Sequence, residues 1–181
     1  MAWSDMSPEE KRTIIQHFED LRKSIIISLA AIIIAAVASF AYSEQLLAIV
    51  TYPLRSLNQR LIVTGVTEAF WVKLQLSFLA GFILAFPVVS WSVWRFVKPA
   101  LYPHERKYVY ILFPATLVLF AGGVTFAYFG ILNLVLYFFI NIAGQNLETM
   151  FKVDQYISFV MSFCLPFGLV FEMPVIAFFL A

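Results

Sequence analysis

Acidic side chains stand at conspicuous places in this chain. Glu172 lies inside an otherwise uncharged apolar stretch, Gln155 to Ala181, long enough to cross a bilayer. A carboxylate in hydrocarbon costs about 3 kcal/mol on insertion scales, so such a residue ordinarily faces a protein interior or a wet cavity. Glu105 precedes Arg106 and Lys107, and the pair Glu19–Asp20 precedes Arg22 and Lys23. A carboxylate beside Arg and Lys stays ionised and accepts bidentate hydrogen bonds from a guanidinium. Two such acceptors near one another at a membrane surface would hold two arginines of a ligand.

Other chemistries lack their residues. The chain has no G-x-x-x-x-G-K-[ST] loop, no H-E-x-x-H, no paired-cysteine motif and no G-x-S-x-G. The two histidines, His17 and His104, are far apart in sequence, and the single cysteine, Cys164, sits in an apolar run as a small core residue. The reading is a binding or transport component rather than an enzyme, with no metal and no cofactor.

The elements that position these residues follow from composition. Of 181 residues, 62% are hydrophobic and only 13% charged, with twenty phenylalanines. Soluble domains are about half apolar and a quarter charged, so the class is an all-α polytopic membrane protein. The net charge of +1 gives no reason to expect a nucleic-acid partner. The polar first 23 residues lack the apolar centre of a cleavable signal, so the first apolar run is expected to act as its own targeting signal.

Ser7, Pro8 and Glu10 predict a capped helix start, and Ile14, Phe18, Leu21 and Ile25 continue at helical spacing. This segment, residues 1–23, reads as an amphipathic surface helix running into the first span. Four spans are expected within a single transmembrane domain, at about 24–42, 72–94, 108–140 and 156–181. Between the first two, residues 43–71 read as a polar loop broken by Pro53. Lys73 reads as a snorkelling anchor, and Pro87 predicts a kink. The uncharged run Tyr108 to Leu147 allows one long span or a hairpin turning near TFAYFGILN, and the lack of turn chemistry there favours one span. Asp154 reads as the N-cap of span four, which holds Pro166 and Pro174. Gly122–Gly123 and Gly130 read as close-packing positions. Eight of the twelve Lys and Arg residues fall before span one or between spans two and three, which places the N-terminus in the cytoplasm.

Three strings then carry a resemblance. HFEDLRKS before span one, FPVVSWSVWRFVKPALYPHERK after span two, and VDQYISFVMSFCLPFGLVFEMP in span four are similar to the TatC family, the multi-spanning core of the twin-arginine protein translocase. The resemblance runs from about residue 14 to the end. It implies six spans in a curved, concave arrangement, two of them beyond Ala181, in a bacterial cytoplasmic (inner) membrane. It implies binding of signal peptides with paired arginines, partners of the single-span TatA and TatB types, an oligomeric complex, and export of folded proteins driven by the proton-motive force. Carried over by position, Glu105 matches the acid that recognises the twin arginines. Asp20 matches the second acid, where the family commonly has Glu, so Glu19 is a candidate to share that role. Phe96, Pro99 and Leu101 match the loop core, Arg22 and Pro53 match further family positions, and Glu172 matches the intramembrane acid.

Blander readings stand beside these. Glu105 alone would pass for a solvated loop charge, and Glu19 for an i,i+4 partner of Lys23. His17 reads as an interfacial polar residue. Glu172 reads either as a protonated acid holding a structural hydrogen bond or as a contact for peptide or partner. A proton-coupled small-molecule carrier using Glu172 is the alternative function, and a structural scaffold a third.

Overall fold

In the computed structural model, residues 8–57, 59–101, 106–143 and 150–180 are described. Seven helices follow in order: α1 (Pro8–Phe40), α2 (Ser43–Ser56), α3 (Glu68–Val97), α4 (Tyr108–Phe126), α5 (Leu132–Ala143), α6 (Val153–Val170) and α7 (Met173–Leu180). Among the described residues four stretches are long and apolar enough to cross a membrane: Ile15–Phe40, Glu68–Val97, Val109–Ile142 and Val153–Phe178. α1 packs chiefly on α3, and α6 packs on α4 and α3.

The long uncharged run is continuous helix from Tyr108 to Ala143. α4 passes into α5 through a π-helical segment, Ala127–Ile131, with no hairpin turn. Nothing charged and no proline interrupts TFAYFGILN to stop a helix there. The wider π turn lets both Ala127 and Leu132 face inward, each 0% exposed.

The segment expected to be a polar loop is not one. Residues 43–56 form α2, which seats Thr51, Pro53 and the fully buried Leu54 against the core built by Val72, Ala127, Leu136, Ile157 and Val160. Its apolar residues recur at helical spacing, and that signal outweighs the proline. Pro53 is tolerated because its missing N–H is compensated. In an unbroken helix the Ile49 carbonyl would accept from residue 53. Here Tyr128 Oη donates to it at 2.6 Å, and Tyr156 Oη donates to the Val50 carbonyl at 2.7 Å. Lys73, expected to snorkel, makes an ion pair with exposed Glu44 of α2, and that hydrogen bond holds the Glu44 carboxyl below the ordinary carboxylate range.

At the same end, β1 (Leu61–Ile62) pairs in parallel with β2 (Phe151–Lys152), in the register Leu61 to Phe151. This fixes Lys152 in extended backbone, and α6 begins immediately after it. Asp154 is therefore inside the first turn rather than the N-cap. Its N–H points to Glu68 Oε1 at 3.4 Å, while Glu68 Oε2 accepts from Thr64 N at 2.6 Å, Thr64 Oγ1 at 2.9 Å and Gly65 N at 3.0 Å. One carboxylate from α3 thus ties the Thr64–Gly65 loop to the first turn of α6.

Helix crossings depend on particular glycines. A Cβ on Gly81 would lie 2.5 Å from the Ala36 nitrogen, and one on Gly123 would lie 2.7 Å from the Phe167 carbonyl oxygen. Gly122 has nothing within 4 Å, and Gly130 meets only Phe126 of its own helical run. Of the adjacent pair, only Gly123 is a packing position.

Two predictions follow from these contacts. Gly123→Ala should lower stability in detergent by about 1–3 kcal/mol, because the obstructing atom is backbone, whereas Gly122→Ala should stay within about 0.5 kcal/mol of wild type. Tyr128→Phe should cost about 1 kcal/mol by leaving the Ile49 carbonyl unpaired. That cost should shrink in a Pro53→Ala background, where an N–H is restored, and a double-mutant cycle on thermal unfolding measures the coupling.

Candidate functional site

Asp20 and Arg22 are exposed on α1, about four turns from the tight α1–α3 crossing at Ala36 and Gly81. α1 and α3 run antiparallel, so the N-terminal part of α1 meets the C-terminal end of α3. The contact there is a ring stack, His17 on Phe96, with centroids 4.3 Å apart and planes 25° from parallel. His17 and Asp20 are three residues apart on one helix and so share a side of it. The stack thereby brings the Phe96 region of the loop motif to the part of α1 that carries Asp20. The signal for His17 was its spacing to Asp20, which becomes informative only when Phe96 is known to lie opposite. The expected Glu19–Lys23 pair is not formed.

Beyond Phe96 the chain makes a single 3-10 turn, Lys98–Ala100, with Pro99 exposed. Leu101 then folds back against Trp94, Val109 and Val175. Glu105 lies outside the described residues. Pro53 is at the opposite end of the helices and belongs to the α2 cap rather than to this group.

Glu172 is separate again. The fourth apolar stretch, expected as one helix, breaks at Phe171–Glu172 between α6 and α7. Pro174 has no N–H to give the Val170 carbonyl, so the ladder ends there. It restarts when Val175 N and Ile176 N both donate to the Glu172 carbonyl at 3.0 Å. The break turns the Glu172 side chain inward, 8% exposed, toward Thr116 and the Phe120 backbone of α4. Glu172 Oε1 and Thr116 Oγ1 are both buried and face one another without a hydrogen bond of ordinary geometry. A carrier would need a train of polar groups leading from such an acid, whereas the groups of α4 that face it are Thr116 and the Phe120 backbone.

The sequence signature described as Sec-independent protein translocase protein (TatC) matches residues 16–181. The chain belongs to the TatC family. It is 39% identical over 173 residues to the Sec-independent protein translocase protein TatC of Carboxydothermus hydrogenoformans, covering 96% of this chain and 71% of that one. Against the TatC of Escherichia coli K12 it is 34% identical over 173 residues, covering 94% of this chain and 67% of the relative. A crystal structure described as the twin arginine translocase receptor TatC superposes with a TM-score of 0.82 at 37% identity, over 88% of this chain and 72% of that one. TatC membership makes this chain a membrane component of Sec-independent protein translocation, and favours that role over the small-molecule carrier.

Within this TatC-family chain, a buried acceptor without a partner is a cost to stability rather than a gain. Glu172→Leu should therefore unfold at or above the wild-type temperature in detergent. A fall of several degrees would mean that the carboxyl is structurally bonded.

Proposed function

We propose that this chain is the signal-peptide receptor and core of a twin-arginine translocase, with Asp20 and Glu105 accepting the paired guanidinium groups of the peptide. The observation that carries this reading is the His17–Phe96 stack, which joins exposed Asp20 on α1 to the loop motif whose next acid is Glu105. Phe96 and Arg22 border the peptide, and Pro99 and Leu101 hold the loop. The resemblance of the fold to a protein described as a twin arginine translocase receptor supports the same assignment. The reading extends to a bacterial inner membrane with the N-terminus in the cytoplasm, to TatA-type and TatB-type single-span partners, and to export of folded proteins on the proton-motive force. Glu172, buried beside α4, is the candidate contact for the inserted peptide or a partner helix.

Arginine is required over lysine because its planar fork engages both oxygens of a carboxylate at once. Glu105→Ala should abolish binding of an Arg-Arg peptide by the purified chain, and Glu105→Gln or Asp20→Asn should weaken it by tenfold or more, about 1.4 kcal/mol. Binding should fall with rising salt and be lost for a Lys-Lys peptide. Photocrosslinking from positions 20 and 105 checks the placement, and wild-type affinity in the Glu105 variants would overturn it.

A further inference from the structure

The C-terminal end of α3 has two working sides. Phe96 faces α1. About half a turn round the helix, Trp91, Trp94, Arg95 and Lys98 recur at i, i+3, i+4 and i+7 and so share the side toward α4. With Val109 and Tyr110 of α4 they line a notch of about 300 Å³. Its floor is apolar and firm: Trp94 is 8% and Val109 3% exposed. Trp91, half-exposed, forms one wall and is held edge-on by Phe113 at 5.1 Å. The rim is cationic. Lys98 Nζ donates to Tyr110 Oη at 2.9 Å and lies 4.9 Å from the centre of the Tyr110 ring. That leaves further ammonium donors directed outward, and Arg95 is exposed beside them. Among the described residues no carboxylate pairs with either cation.

The surface leading into the notch is also ordered. Leu84, Val88 and Trp91 continue the same side of α3 toward the membrane interior and are exposed by 67%, 43% and 45%. Passing outward along α3, a ligand would meet an aliphatic track, then an indole, then two fixed cations. That sequence of surfaces matches an acyl chain, an interfacial glycerol region and a phosphate. Indole rings settle at the headgroup level, and basic pockets between membrane helices hold anionic headgroups.

We propose that this notch between α3 and α4 binds one anionic phospholipid, its phosphate on Arg95 and Lys98 and one acyl chain along Trp91, Val88 and Leu84. A free phosphate would satisfy the rim but leave the exposed track unused, and a zwitterionic headgroup would bring a second cation toward Arg95 and Lys98. The bound lipid would brace the α3–α4 connection on the side away from His17, leaving the Phe96 side open.

The test is native mass spectrometry of the full chain in detergent with equal concentrations of phosphatidylglycerol and phosphatidylcholine. The wild type should retain one phosphatidylglycerol per chain, in preference to phosphatidylcholine by roughly tenfold or more, since both basic residues favour an anionic headgroup. The Arg95→Gln/Lys98→Gln double variant should lose the preference, and Arg95→Lys/Lys98→Arg should keep it, with circular dichroism confirming that both fold. Phosphatidylglycerol carrying brominated chains should quench wild-type tryptophan fluorescence more than that of Trp91→Phe. Equal retention of the two lipids, or undiminished phosphatidylglycerol on the double glutamine variant, would overturn the proposal. So would displacement of the lipid by equimolar inorganic phosphate, which would mark a simple anion site, or by an oligoglutamate peptide, which would mark a surface for an acidic protein segment.

Discussion

Hydrocarbon offers no water to a stranded backbone group, and the architecture of this chain turns on that constraint. Proline removes an N–H, and although Pro87, Pro114 and Pro166 are carried inside unbroken helices, the freed carbonyl is met in two different ways at Pro53 and Pro174. At Pro53 a distant tyrosine serves it: Tyr128, carried on the π-helical turn between α4 and α5, reaches the Ile49 carbonyl. At Pro174 no side chain intervenes and the helix stops, leaving Phe171–Glu172 as a turn inside an apolar stretch. One solution buries α2 as a cap on the bundle. The other presents a carboxyl to α4.

Polar groups at the two ends of the bundle have different work. Where α2 and the two short strands meet, they bind the chain to itself: Glu68 gathers Thr64, Gly65 and Asp154, and Glu44 pairs with Lys73. At the other end Asp20, Arg22 and Arg95 are exposed. Charges consumed in holding loops are unavailable to a ligand, and charges left exposed beside aromatic rings are suited to one. The division is consistent with a receptor whose recognition surface lies at the α1 N-terminal end, and with a lipid site on the neighbouring side of α3.

Glycine and aromatic packing make this arrangement rigid without a large water-driven core. α1 meets α3 at Ala36 and Gly81, and α4 meets α6 at Gly123, where backbones approach more closely than a Cβ would allow, while Gly168 of α6 makes room for the Phe120 ring. In a membrane such close approach replaces the hydrophobic drive available in water. The crossings in turn set the pitch at which His17 reaches Phe96.

The sequence by itself determined the class and the inventory. Apolar runs of spanning length admit no other solution, and the order of residues in WRFVKPALYPHERK identified the family. Glu172 stood out because a charge inside hydrocarbon is conspicuous in one dimension, whereas Asp20 and Glu105 stood out only through their basic neighbours and the family motif. What only the tertiary structure decided are relations across the chain. Residues 43–56 read as loop because Pro53 and the charges nearby look like punctuation; the carbonyl donor that lets the helix continue is Tyr128, 75 positions farther along. Asp154 read as a cap because local spacing favoured it, and Glu68, remote in sequence, took the role through the pairing of two short strands. Gly122 and Gly123 are equivalent as text and opposite in space. His17 had no assigned partner until α1 lay antiparallel to α3. Local physics sets which segments are helical and buried in lipid, but a hydrogen bond or a stack between distant residues exists only once packing has fixed the distance.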